Sequence, residues 1–209
     1  MSNRPSTEEL ATATLSHYDI NAQDYRTGTA EHDVSQNIDA LLRAIEGEPP
    51  HTILDFGCGP GRDLVSLSKR GHRAKGLDGA AAVAELAREI SGCEVWHQNF
   101  IDLDLPPRRF DGVFANASLF HIPREAVPKV LSALHESLKL RGVLFCSNPR
   151  GDNQEGFSGS RYGCYYDLSA WREIVTAAGF DEIEHYYRPP GLPRQQQPWL
   201  ATVWRMRGN

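Results

Sequence analysis

Three glycines at alternate positions, Gly57, Gly59 and Gly61, lie in the stretch ILDFGCGPGRDL (residues 53–64), between a short apolar run and a helix-like segment. Asp55 stands two residues ahead of the first of them, and Asp78 closes the next apolar run, in GLDGA. Glycine in a strand-to-helix turn permits positive φ and lets a ligand touch backbone that a Cβ would shield. Such turns occur in many nucleotide-binding chains, so the two acids decide the chemistry. An ionised carboxylate at the Asp55 position repels a pyrophosphate by on the order of several kcal/mol when poorly solvated, and attracts a cation. A carboxylate about 20 residues beyond the turn, as Asp78 is, can accept both hydroxyls of a ribose. Taken singly, Asp55 reads equally as a solvated strand-end acid and Asp78 as a helix cap. With the glycines they describe a site for a nucleoside that carries positive charge and no phosphate.

The surrounding pattern supplies the elements that hold such a site. Short apolar strands are expected at HTILDF, RAKGLD, CEVWHQ, DGVFAN and GVLFCSN, with helices GRDLVSLSKRG, AAAVAELAREIS and VPKVLSALHESLKL among them. In the last helix Val127, Val130, Leu131, Leu134 and Leu138 form one stripe, and Pro128 is tolerable only in the first turn. Strand–helix alternation predicts an α/β fold: a Rossmann-like doubly wound sheet, mostly parallel, with helices on both faces. The tail breaks the alternation. A helix LSAWREIVTAAGF is followed by EIEHYYR, a proline-rich loop and WLATVWRMR, and two strands with no helix between them predict an antiparallel pair at the sheet edge. Upstream, LSHYDINAQDY and SQNIDALLRAIEG read as helices, the second with Ile38, Leu41, Leu42 and Ile45 on one face, Ser35 as cap and Gly47 as stop. Residues 1–14, polar and threonine-rich, are expected to form a disordered tail, and residues 15–209 a single domain with a helical lid at its N-terminal end.

S-Adenosyl-L-methionine, with its ribose, sulfonium and α-ammonium groups, has the character the two acids require. LDFGCGPGRDL together with GLDGA resembles the class I, Rossmann-like methyltransferases that use this cofactor, and the match runs over most of the chain. The resemblance implies that Asp55 and the loop Gly57, Cys58, Gly59 and Gly61 face the methionine part, and that Asp78 faces the ribose. Asn99 and Phe100 would frame the adenine, and residues 116–119, starting at Asn116, would line the cofactor and open toward the acceptor. The family's frequent LKPGG appears here as LKLRG, a departure at a surface turn.

Ligands of open parallel sheets bind beyond the carboxyl ends of the strands. The segments expected there, among them the loop SNPRGDNQEGFSGSRYGCYYD after the fifth strand, are rich in polar and aromatic groups. Arg150, Arg161 and Arg188 can each grip a carboxylate bidentately, and Tyr18, Tyr25, Tyr162, Tyr165, Tyr186 and Tyr187 offer walls with polar tips. The substrate-binding candidates are accordingly Tyr18, Arg150, Arg161, Tyr162, Tyr165 and Arg188, and the catalytic candidates His121, Asn116 and Tyr25. His121 follows the fourth strand, where it can take a proton from the acceptor or simply form the pocket wall. HYDINAQDY, HDVSQNI, SNPRGDNQEG, SRYG and YYRPPGLPRQQQPWLATVWR are similar to the methyltransferase module of ovothiol biosynthesis. That similarity implies N-methylation of a ring nitrogen of 5-thiohistidine, a small zwitterionic substrate, and a fusion or functional pairing with a sulfoxide synthase.

A net charge of −5 and a sequence pI near 5.9 give no general attraction for nucleic acid or an anionic membrane, and no apolar run is long enough to span a bilayer. Cys58, Cys93, Cys146 and Cys164 are scattered without a CxxC pair, which fits packing thiols in a reducing cytoplasm. The histidines show no metal-ligand spacing, so no metal is expected. Two other functions stay open on the sequence: methylation of a different small acceptor at N, O or S, and a non-catalytic nucleoside-binding module. A nicotinamide enzyme is disfavoured by Asp55.

Overall fold

Ile53 and Leu54 of β1 (Thr52–Phe56) are adjacent, point to opposite faces of a sheet and are both completely buried. The same holds for Val113 and Phe114 in β4 (Phe110–Asn116) and for Leu144 and Phe145 in β5 (Leu138–Pro149). Strands covered on both faces carry continuous apolar runs, so this is the burial expected of a parallel sheet under two helix layers. The computed structural model describes residues 5–208.

The chain enters through α1 (Thr7–Ile20), α2 (Ala22–Thr29) and α3 (Ser35–Ala44). β1 then leads through α4 (Arg62–Lys69) to β2 (Arg73–Asp78), α5 (Ala81–Ser91), β3 (Val95–His97) and β4. α6 (Val127–Ser137), with Pro128 in its first turn, precedes β5. A separate hairpin, β6 (Gln154–Ser158) and β7 (Arg161–Tyr165), comes before α7 (Leu168–Ala177), β8 (Phe180–Arg188) and β9 (Trp199–Met206). The seven-stranded sheet has the order β3-β2-β1-β4-β5-β9-β8 and is parallel from β3 to β5. One core packs α6 and α7 on one face, and another packs α3 with Leu67 of α4 on the other. The order reverses between β1 and β4, and at such a switch point loops from neighbouring strands diverge and leave a crevice at their carboxyl ends.

The predicted antiparallel pair stands at the sheet edge, and its register refines the expectation. The reversed strand is β9, which pairs antiparallel with both β5 and β8, so the outermost strand β8 runs parallel to the rest.

Four expectations need correction. Residues 1–4 of the expected tail lie outside the described residues, but from Thr7 the chain is helical. Ser6 Oγ accepts the Glu9 N–H and the Glu9 carboxylate accepts the Ser6 N–H, a capping box that starts α1, and Leu10, Ala11 and Thr14 are buried. LSHYDINAQDY is two helices, broken at Asn21, rather than one. Ser35 is the first helical residue of α3 instead of its cap, and its N–H is taken by Asp33 Oδ1 at 2.9 Å. The segment 150–166, read as loop, contains the β6–β7 hairpin.

Candidate active site

The glycine turn is built by backbone conformation. Gly57, Gly59 and Gly61 have φ of 78°, 53° and 93°, all in the left-handed region. The N–H groups of Gly57 and Cys58 both reach the Leu77 carbonyl, tying the turn to the end of β2. A Cβ on Gly57 would stand 2.3 Å from Ser118 Cβ, and one on Gly61 would meet the Ala87 backbone at 3.0 Å. Ser118 Oγ donates to the Phe56 carbonyl at 2.6 Å, so the loops after β1 and β4 are clasped together.

Around this turn lie two cavities that share Tyr18, Tyr25, Gly57 and Ala117. The smaller, about 50 Å³, is mostly apolar, walled by Leu15, Val83, Phe100 and Ile101, with Asp78, Asn99 and His121 at its margin. Phe100 packs on Phe56 with ring centroids 4.4 Å apart. The larger, about 590 Å³, has a mixed polar and apolar lining made by the turn, Arg62, Asp63, Asn116, Phe120, Ser147, Arg161, Arg188 and Trp199.

The carboxylates are held in unusual states. Asp78 accepts the N–H groups of Gly59 and Ala80, each at 3.0 Å, yet burial pushes its pKa up to about 6. Asp55, on the α3 face of β1, is 1% exposed, and its Oδ2 is buried with no hydrogen-bond partner. Burial, then the nearby charge of Asp63, holds its carboxyl well above the usual range. A buried carboxylate oxygen without a donor is costly unless a cation or donor reaches it. The alternation of sites therefore fits S-adenosyl-L-methionine. The apolar cavity at Phe100 suits a base, Asp78 suits ribose hydroxyls and the bare turn admits the linking chain, while Asp55 lies buried behind the turn and lines neither cavity.

His121 is fixed by two hydrogen bonds. Its Nδ1 lies 2.7 Å from the Tyr162 carbonyl, which can only accept, so Nδ1 carries the proton and Nε2 accepts from the Tyr18 hydroxyl at 2.8 Å. Burial drives its pKa down to about 4. The Arg161 guanidinium lies beside the same Tyr18 hydroxyl, whose pKa burial raises. His121 thus stays neutral and faces the large cavity only through Tyr18. Tyr25, likewise raised by burial, covers the turn: a Cβ on Gly59 would stand 3.2 Å from its hydroxyl and ring.

Of the predicted residues, Gly57, Cys58, Gly59, Asp78, Asn99, Phe100, Asn116, Tyr18, Tyr25, His121, Arg161 and Arg188 line the two cavities, while Gly61 closes the turn and Asp55 lies buried behind it. Three do not join them. Arg150 spends its guanidinium on the carbonyls of Gln197 and Arg194, closing the proline loop. Tyr162 is buried beneath the hairpin, and there it is the carbonyl that serves the site. Tyr165 folds back over Gly163 beside Phe120. Asn99 Oδ1 accepts the Ile101 N–H and so shapes its own turn.

The structure adds Arg62, Asp63 and Asn37 to the site. Asp63 is buried and accepts a two-pronged bond from Arg62 at 2.7 and 3.0 Å. Asn116 Nδ2 donates to Asp63 Oδ2 at 3.3 Å, and Asn37 Nδ2 donates to Asn116 Oδ1 at 2.9 Å. Arg62 and Asp63 stand directly after the third glycine, and Asn37 is an amide on the apolar face of α3, next to Ile38. A polar residue on an apolar stripe was the available signal.

Residues 27–185 match the model of a methyltransferase domain. The chain is 35% identical over 162 residues to the trans-aconitate 2-methyltransferase of Enterobacter sp. (strain 638), spanning 68% of this chain and 61% of that protein. It is 29% identical over 190 residues to the ubiquinone biosynthesis O-methyltransferase of Alkalilimnicola ehrlichii, spanning 85% of this chain and 71% of that one. The fold superposes with a TM-score of 0.80, at 23% identity, on the Burkholderia thailandensis 1,6-didemethyltoxoflavin-N1-methyltransferase with bound 1,6-didemethyltoxoflavin and S-adenosylhomocysteine, covering 100% of this chain and 93% of that one. A complex of DhpI with S-adenosylhomocysteine matches with a TM-score of 0.74 at 20% identity, over 98% of this chain and all of the other.

Proposed function

The chain belongs to the methyltransferase-domain family and its cofactor is S-adenosyl-L-methionine; from that premise we propose that it methylates a small zwitterionic acceptor, an imidazole ring nitrogen of 5-thiohistidine. The observation that carries this reading is the large cavity beside the glycine turn, with three guanidinium groups on its wall. Arg62 is paired with Asp63, and Arg161 and Arg188 are not ion-paired to a carboxylate among the described residues. Arg188 donates one Nη2 bond to the Asp33 carbonyl and keeps a buried Nε with no partner, and Arg161 stands beside Tyr18. An amino acid carboxylate satisfies the unused donor, while Tyr18 and Phe120 bracket a ring.

When bound, the cofactor supplies a methyl group already activated by its sulfonium. The chain's task is alignment, worth roughly 7–11 kcal/mol of barrier lowering when reacting groups are held in line. Arg161 and Arg188 fix the acceptor's carboxylate end. An imidazole acceptor is largely neutral near pH 7 and attacks through a nitrogen lone pair, so the methyl transfer needs no strong base. The proton on the other ring nitrogen is lost to water, and the neutral Tyr18–His121 pair positions the acceptor. The chain would then act downstream of a sulfoxide synthase, which supplies the sulfur-bearing ring.

A second reading, O-methylation of a small polycarboxylate, is favoured by the same two arginines and by the trans-aconitate relative. Incubating the protein with S-adenosyl-L-methionine and either 5-thiohistidine or trans-aconitate, followed by product mass spectrometry, separates the two. We expect a singly methylated imidazole from the first acceptor. Turnover of trans-aconitate alone would replace the thiohistidine assignment with the second reading.

A further inference from the structure

α2 covers the cofactor cavity with little apolar surface of its own. Its sequence is AQDYRTGT, and Ala22 is its only fully buried residue. Tyr25 reaches from it over Gly59, and its last residue, Thr29, offers a carbonyl to Arg62 Nη1 at 2.8 Å. A helix docked by so few contacts opens locally at small cost unless a polar tie holds it. Arg62 is that tie, and its Nε and Nη2 grip both oxygens of buried Asp63.

Asp63 also ends a directed chain. A carboxylate accepts only, so Asn116 must turn its amide nitrogen toward Asp63 and its oxygen toward Asn37. Asn37 then presents its own oxygen to the Tyr186 hydroxyl at 2.9 Å. Every amide orientation along this path, from β8 through α3 and β4 to α4, is set by one charge that Arg62 balances.

From this geometry we propose that Arg62 is a latch: a positioning residue that holds α2 closed over the cofactor and couples that closure to the Asp63–Asn116–Asn37 chain on the acceptor wall. The proposal rests on the cofactor assignment and is independent of which acceptor is methylated. Arg62 does its work through α2 and Asp63. Lysine keeps the charge but has no planar fork, so it cannot grip both carboxylate oxygens and Thr29 at once.

The test uses the full chain, with Arg62→Ala and Arg62→Lys compared by titration calorimetry with S-adenosylhomocysteine and by amide hydrogen exchange. In Arg62→Ala the affinity is expected to fall about tenfold or more, the scale of a hydrogen bond to a charged group. Amides of residues 22–29 exchange faster with and without S-adenosylhomocysteine, while β1, β4 and β5 keep their protection. Added methylguanidinium restores part of the affinity, and Arg62→Lys falls between the two proteins. Affinity within about twofold of the parent with α2 protection unchanged overturns the latch. So does a loss of protection spread evenly over the sheet, which marks a general packing role. If Arg62→Ala does not fold, parental affinity and α2 protection in Arg62→Lys overturn it equally. Absence of S-adenosylhomocysteine binding by the parent protein strikes the cofactor assignment instead, and exchange in the ligand-free protein still judges the latch.

Discussion

His121 and Asp78 have opposite electrostatic problems at one turn. His121 has both ring nitrogens engaged and a pKa near 4, so it carries no charge at neutral pH. We expect its ring proton signals in NMR to show no titration between pH 5.5 and 8; a midpoint near 6.5 would mean that the Tyr18 and Tyr162 bonds are not kept. Asp78, with a pKa near 6 in the free protein, accepts hydroxyl donors best when ionised. S-Adenosylhomocysteine should therefore bind more weakly at pH 5 than at pH 7.5. Asp78→Asn should bind it about tenfold or more weakly and lose that pH dependence, because the strengthened charge-assisted bonds are gone. Calorimetry at the two pH values reads both effects. The sequence made Asp78, Asp55 and the glycines legible because their roles depend on residue type and local spacing. It could not show that Arg150 is consumed by the carbonyls of Gln197 and Arg194 while Arg188 keeps an unused donor, since both are basic residues next to a proline. Which donor stays free is decided by packing across the chain.

At the scale of elements, strands with continuous apolar runs announced themselves, and the two that did not were β6 and β7. Their hairpin is glycine-rich and mostly exposed on β6, so it lacks the alternation that marks a half-buried strand. Its position is instead fixed from outside: the Tyr162 N–H donates to Thr14 Oγ1 at 2.9 Å, and His17 Nδ1 meets Ser160 Oγ at 2.7 Å. α1 therefore carries the hairpin, and the hairpin carries the carbonyl that sets the His121 tautomer. The start of α1 was hidden by threonine-rich composition, although Ser6 and Glu9 are spaced as a capping box. Ser6→Ala should destabilise the protein by about 1 kcal/mol in denaturant titration. Exchange should quicken over residues 7–14 first and then at the hairpin. An effect confined to the first turn, with Tyr162 still protected, would mean that the hairpin does not depend on α1.

Over the whole molecule, proton linkage should make stability report on the site. Between pH 4 and 6.5 the unfolded chain protonates the His121 ring and the native protein does not, so this group makes stability rise with pH. Between pH 3.8 and 6 the native protein keeps a proton on Asp78 that the unfolded chain has lost, so this group makes stability fall over nearly the same range. Each contribution is up to about 3 kcal/mol, and in the free protein they oppose one another. Buried Asp55, also raised, adds to the falling side. Surface acids such as Asp111 and Glu182, whose pKa values are lowered by their Lys139 and Arg172 partners, lose their contribution only as pH drops further, through the acid range. Ligand donors that favour the ionised form of Asp78 remove its falling term and leave the rising one of His121. The increase in Tm on adding S-adenosylhomocysteine should therefore be small at pH 5 and grow steadily to pH 7. In Asp78→Asn that growth should vanish. A shift in Tm of equal size at every pH would show that Asp78 does not change its charge when the cofactor cavity fills, and its assignment to the ligand would have to be abandoned.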